Sequence, residues 1–362
     1  MTTSHDSLPW WSWAAPLAAT SLLGAKTLGL ADPGVGAVIM LAALLLGGAV
    51  FAAVHHAEII ALRVGEPFGS VILAVAVTVI EVALIVSIML SAPDGAAEVA
   101  RDTVFAAVMI VLNGIVGLCL LVGGLRHHEQ GFHAHGASAA LGVLGTLATL
   151  VLILPNFTQT TPGPVYAPPQ LVFVAIVSLA LYALFLFVQT VRHRSYFLDA
   201  EADAEGHAPP GNRVVAMSAA LLLVSLVAVI LLAKTLSPAV DRAIAAAGLP
   251  DACVGIVIAA VVLLPEGMAA FRAAQVNRLQ TSLNLALGSA LASIGLTIPA
   301  VTVVALALGI PLALGLQAQH IVLLVLSLFA STLTLAAGRT TVLQGGVHVV
   351  IFAAFLVIAA VP

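Results

Sequence analysis

The chain is a succession of apolar runs, separated by short stretches rich in Gly, Pro and Asp such as ADPG at 31–34, SAPDG at 91–95 and TTPGP at 160–164. Coiled as an α-helix, a run of about 20 apolar residues matches the thickness of bilayer hydrocarbon. Lipid offers backbone N–H and C=O groups no water to bond, so only helices and closed barrels cross it. Continuous apolarity, rather than strict alternation, selects helices here. The fold expected is an all-α polytopic membrane protein with eleven spans, at roughly 10–30, 36–62, 69–91, 102–124, 137–155, 169–191, 213–236, 250–271, 280–309, 317–337 and 341–361. Composition agrees. The chain is 62% hydrophobic and 8% charged, with mean hydropathy +1.18, whereas a soluble domain carries about 25% charged residues.

A formal charge of −4 gives no reason to expect a nucleic-acid partner, and the lipid bilayer is the surface this chain needs. Cys119 and Cys253 fall inside apolar runs and offer no disulfide framework. The beginning MTTSHDSLPWWSW lacks the basic stretch of a signal peptide. Its Trp10, Trp11 and Trp13 read as an interfacial anchor for the first span. With the N-terminus inside, eight of the 12 basic residues (Arg63, Arg126, Arg192, Arg194, Arg213, Arg272, Arg278 and Arg339) fall in cytoplasmic loops. The positive-inside rule therefore favours a cytoplasmic N-terminus and an outer C-terminus.

The longest polar segment, His193 to Arg213, contains Asp199, Glu201, Asp203 and Glu205 and too few apolar residues for a core. It divides the chain into an extra helix at 1–35, a five-span half at 36–193, an acidic cytoplasmic linker at 194–212 and a second five-span half at 213–362. An odd number of spans per half makes the second start from the opposite side of the membrane. Related halves of that kind form an inverted repeat, a common transporter architecture.

Two carboxylates stand in the wrong solvent. Glu81 lies in VTVIEVALIV and Glu266 in VVLLPEGMAA, one in each half. An acid at a span centre costs about 2.5–3.5 kcal/mol on insertion scales. An isolated glutamate avoids that cost by staying protonated against a neighbouring helix. A facing pair does more: without a cation the two repel and take protons, and a bound cation reverses this. Carboxylate, hydroxyl and carbonyl oxygens suit a hard cation such as Ca2+ or Na+. Proton and cation then compete for the same oxygens, which is the chemistry of an antiporter.

Nearby residues can complete such a site. Thr78 shares a helical face with Glu81. Pro265 has no N–H, which frees the carbonyl of Val261 for an ion, and Gly267 eases a local break. Ser289 and Ser293 lie one turn apart in LALGSALASIGL, as ligands or as small packing residues. Asn113, deep in the fourth span, offers an amide either to an ion or to another helix. Glu58 is an entry-path acid or a snorkelling one; Glu66 starts a helix, where the dipole favours a carboxylate. His348 is a proton relay or a hydrogen-bonded core histidine. The loop RHHEQGFHAHG holds His127, His128, His133 and His135, a solvated stretch or a weak metal capture site.

Several ordered segments resemble the calcium/proton exchanger family of the calcium/cation antiporter superfamily, in particular its bacterial ChaA-type branch. They are GEPFGSVILAVAVTVIEVALI, GGLRHHEQGF, LYALFLFVQTVRHRSYF, LLPEGMAAFRAA, LNLALGSALASIGLTIP and GRTTVLQGGVH. The resemblance implies an inverted five-span repeat behind an extra N-terminal helix. It also implies that Glu81 and Glu266 are the acids of the family's two G-N-x-x-E motifs, and that Ser289 belongs to its Gly-Ser segment. At the two G-N positions stand Val77 and Thr78, then Val262 and Leu263. Both amides are missing. Fewer oxygens suit Na+ or K+, or a Ca2+ that keeps some water, since Ca2+ takes six to eight ligands.

The reading is a secondary antiporter, not an enzyme, that exchanges Ca2+ or Na+/K+ for H+ by alternating access, with no cofactor. A zinc-type exporter loaded by the histidine loop is the alternative. An intramembrane metalloenzyme would need ligands at helical spacing such as H-E-x-x-H, and the spans carry none.

Overall fold

A computed structural model describes residues 8–32, 34–65, 68–91, 96–198, 210–250 and 252–362. Glu66 and the acids of the linker lie outside the described residues. Thirteen α-helices, with short π- and 3-10-helical turns, make up most of the described chain. They are α1 (Trp10–Thr27), α2 (Gly36–Val64), α3 (Phe68–Ser91), α4 (Ala96–Met109), α5 (Val116–His127), α6 (Ala134–Ala148), α7 (Pro168–Phe187), α8 (Asn212–Ala246), α9 (Ala252–Gln275), α10 (Leu279–Ala292), α11 (Ile298–Leu308), α12 (Ala318–Ala336) and α13 (Val342–Ala360). The pairs α4–α5 and α10–α11 each run on as one span, Ala97–His127 and Leu279–Leu308. Ten spans among the described residues are long and apolar enough to cross a membrane. They fall five and five behind α1, an 18-residue helix that packs on α2 and α8.

Local chemistry sets the boundaries. Asp32 Oδ1 accepts from Gly34 N–H at 2.8 Å just before α2 begins, and Gly65, at φ +76°, ends it. Pro168 starts α7, where its missing N–H costs nothing, and Gln170 Oε1 accepts from Ala167 N–H at 3.0 Å. Thr341 and Gln344 form a capping box at the start of α13. The span expected to end at 236 continues as α8 through Pro238 to Ala246, and α9 runs unbroken through Pro265 and Gly267. A proline removes one helical hydrogen bond, and close neighbours can hold the helix through that loss. For α9 these neighbours are α4, α5 and α10.

The compact units cut across the two halves. Helices α1–α3 with α8 form one unit; α4–α7 with α9–α13 form the other. In the first unit, the long opening helices of the two halves, α2 and α8, pack along one another. Arg63 donates to Asn212 Oδ1 at 2.6 Å, tying the end of α2 to the start of α8. His56, fully buried, bonds the carbonyl of Ser12 at 3.0 Å and fastens α1 to α2.

The second unit is laced at both ends. At one end, strands β1 (Gln130–Gly131) and β2 (Arg339–Thr340) pair antiparallel. His127 meets the Gln275 carbonyl at 3.1 Å, and Gln130 Nε2 donates to Ala274 at 3.1 Å. At the other end, Ala313 N–H donates to Ala97 and Gly315 N–H to Pro164, at 2.9 and 3.0 Å. Loops alternate between these ends along the chain, as a succession of spans requires.

Glycines set the approach of α13 to α5. A Cβ on Gly345 would run into the backbone nitrogen of Leu121, and one on Gly117 would lie 2.8 Å from the His348 Cβ. Gly346, next along α13, faces open space. Gly345→Val is therefore expected to destabilise the protein by about 1–3 kcal/mol, the range for overpacking a filled interface. Gly346→Ala should change little. Thermal unfolding in detergent, read by loss of the monodisperse chromatographic peak, separates the two.

Candidate cation site

Glu81 sits just past the middle of α3, only 2% exposed, among buried Val77, Ile80, Leu84 and Ile85. Thr78, one turn earlier, is 7% exposed, and its hydroxyl has no hydrogen-bond partner among the described residues. These two residues share a buried face in the first unit. Glu58 lies on α2 of the same unit but is exposed.

The other candidates belong to the second unit. Glu266 is half-buried on α9, preceded by buried Pro265. Pro265 leaves the Val261 carbonyl without its usual helical donor even though the helix does not break. Helix α9 packs against a π-helical turn, Ile110–Ile115, that separates α4 from α5. A Cβ on Gly267 would lie 3.1 Å from Ile115, so the residue after Glu266 touches that turn. Asn113 is carried on the turn and is fully buried. The third span of the second half repeats the device, with a π-helical turn at Ser293–Thr297 between α10 and α11. Ser293 opens that turn at 4% exposure, and Ser289 is half-buried one turn before it. Single π-turns inside α-helices recur at functional sites, because the extra residue re-aims the side chains around it.

Asn113 belongs to a buried polar network. Its Nδ2 donates to Ser327 Oγ on α12 at 2.8 Å, and Ser327 donates to the Leu323 carbonyl at 2.7 Å. Asn113 Oδ1 lies 3.0 Å from His348 Nδ1 on α13, and His348 Nε2 lies 3.2 Å from Thr334 Oγ1. Sequence reasoning singled out Asn113 and His348 but not Ser327 or Thr334. The signal available was the polar spacing in SLFASTLTLA, but its partners lie 214 residues away for Asn113–Ser327.

The loop histidines are dispersed. His127 is tied to Gln275, while His135 packs on Tyr196 with ring centres 5.6 Å apart. Among the described residues, no three His, Cys, Asp or Glu side chains converge as a metal site. Glu81 and Thr78 thus lie on one helix of the first unit, and Glu266, Asn113, Ser289 and Ser293 on helices and π-helical turns of the second.

A model of a family described as sodium/calcium exchanger protein matches residues 34–191 and 217–361. A putative ionic transporter of Sinorhizobium fredii is 57% identical over 98% of this chain and 97% of its own length. The sodium-potassium/proton antiporter ChaA of Escherichia coli is 36% identical over 90% of this chain and 89% of its own. In fold, the chain is similar to native YfkE, with TM-score 0.74 at 15% identity over 97% of this chain and 100% of that one. The H+/Ca2+ exchanger CAX gives TM-score 0.71 at 15% identity, over 96% and 88%.

Ser327 and Ser331 give a direct test of the network. Ser327→Ala removes the acceptor for a buried amide and should cost about 1–3 kcal/mol. The Ser331 hydroxyl is equally buried but has no partner among the described residues, so Ser331→Ala should be neutral or stabilising. Unfolding midpoints of the two variants in one detergent check the contrast.

Proposed function

The chain belongs to the sodium/calcium exchanger protein family, and on that premise we propose that it exports Na+, K+ or Ca2+ in exchange for protons. It is a multi-pass membrane protein of a secondary-transporter family, so the gradient of one ion drives the other. The observation that carries the proton-coupled reading is Glu81, a carboxylate 2% exposed inside an apolar span with a free hydroxyl one turn away. Glu81 and Glu266 share their oxygens between one cation and protons; Thr78, Ser289 and the Val261 carbonyl complete the shell. Ser293, Asn113, Glu58, Glu66 and His348 are accessory to it.

Oxygen count bears on the cation. The proposed shell has two carboxylates, two hydroxyls and a carbonyl, without the amides of a G-N-x-x-E motif. That set suits a monovalent ion better than a fully dehydrated Ca2+. The ChaA antiporter, named for sodium, potassium and protons, supports the same preference by its 36% identity. Access alternates as α2 and α8 move together; the division of the chain into two compact units supports this. The N-terminus lies in the cytoplasm of a bacterial inner membrane and the C-terminus outside. Each charge moved across 100 mV carries about 2.3 kcal/mol, enough to bias export strongly.

In everted vesicles, Glu81→Gln and Glu266→Gln should each abolish cation-dependent proton release while leaving the amount of membrane-inserted protein unchanged. Near-normal exchange in either variant removes that residue from the mechanism. For the wild type, the apparent KM for cation should rise as pH falls, because protons occupy the same oxygens. A pH-independent KM contradicts the shared site.

A further inference from the structure

The hydrogen bonds around Asn113 run in one direction, and that direction can be derived. Ser327 has one proton, and the Leu323 carbonyl takes it at 2.7 Å. Ser327 Oγ is then an acceptor, so Asn113 turns its NH2 toward α12, and Met109 Sδ lies 3.8 Å from the same nitrogen. The carboxamide oxygen consequently points to His348 Nδ1 at 3.0 Å, and Nδ1 must carry the ring proton. His348 Nε2 is left as an acceptor, and the Thr334 hydroxyl donates to it at 3.2 Å. All four side chains are buried, Asn113, Ser327 and His348 completely. His348 reaches the π-helical turn because Gly117 leaves no side chain in its way.

Resting on the cation-exchange reading above, we propose that His348 is a positioning residue that sets cation preference by committing the Asn113 carboxamide oxygen to α13. Asn113 stands on the turn against which Glu266's helix packs, and it is the one amide in the first half's third span. Held by His348, Ser327 and Thr334 in series, its oxygen is withheld from an ion at Glu266. The shell stays poor in oxygens and favours a monovalent cation. Released, the amide supplies the neutral oxygen ligand that a divalent ion needs. His348 acts through Asn113 and touches no ion itself. Other titratable groups on the elements packed against α13 are Cys119, Arg126 and His127 on α5, Cys253, Glu266 and Arg272 on α9, His320 on α12 and Arg339 on β2. The neutral tautomer follows from the hydrogen bonds alone.

The test is proton flux in proteoliposomes, with Na+ and Ca2+ offered separately to wild type, His348→Leu, His348→Gln, Thr334→Val and the double variant Asn113→Leu/His348→Leu, beside Asn113→Leu alone. His348→Leu should shift the ratio of apparent KM values toward Ca2+ by about fivefold, the size of one neutral hydrogen bond. His348→Gln keeps a donor for Asn113 and an acceptor for Thr334 and should stay within about twofold of wild type on the same scale. Thr334→Val frees the ring tautomer and should shift the ratio in the same direction, which decides the matter if the leucine variant does not fold. On the Asn113→Leu background the His348 shift should vanish. Equal losses for both cations, or a shift that persists without Asn113, overturns the proposal. A wild type that exchanges no cation for protons overturns the functional reading instead.

Discussion

Hydrocarbon has no hydrogen bonds to give, and this one deficit orders the molecule. It forces the backbone into helices and confines loops to the two ends of the bundle. It also demands that every polar side chain inside be matched by another or by something that arrives from outside. In the second unit one group of side chains meets the demand internally: Asn113 on its π-helical turn bonds Ser327 on α12 and His348 on α13, and His348 bonds Thr334. At Thr78 it is not met among the described residues, and the buried hydroxyl stands one turn from a buried carboxylate.

The same deficit explains the π-helical turns. A π-turn shifts hydrogen bonding by one residue without exposing backbone to lipid, so it is a tolerable way to distort a span. Four occur among the described residues, at Ile110–Ile115, Thr149–Ile153, Val188–Arg192 and Ser293–Thr297, and the first and last of these each lie in the third span of a half. Close packing keeps the distortion in place. Gly117 and Gly345 let α13 lie directly on α5, so that dispersion and hydrogen bonding replace the hydrophobic effect that lipid cannot supply.

Much of this was legible in the residues. Apolar length alone located the ten spans behind α1 to within a turn or two at most ends, because lipid thickness is a ruler with one setting; the expected first span, 10–30, is the helix Trp10–Thr27 and is not among those ten. The exception is α8, which continues past Leu236 through Pro238 to Ala246; the polar SPAVDR stretch reads as a terminus, yet its residues lie beyond the apolar window where helix is still permitted. Gly267 beside Pro265 read as easing a break, and α9 has none there, since α4, α5 and α10 support it on its packed faces. The partition into units was invisible, because it follows from α2 packing on α8 rather than from chain order. Glu81 and Glu266 were conspicuous because a lone acid in twenty apolar residues has few innocent explanations. Ser327 and Thr334 were not, since a hydroxyl in a span is commonly satisfied by its own helix, and their partners lie far away in sequence.

The central claim is that hydrogen ions and metal ions occupy the same carboxylate oxygens in turn. Calorimetric titration of the purified protein with Na+ and with Ca2+, in two buffers of different ionisation enthalpy, counts protons released per cation bound. Release on binding, lost when either glutamate is replaced by glutamine, is the result the account predicts. Cation binding of undiminished strength that frees no protons in either buffer contradicts it.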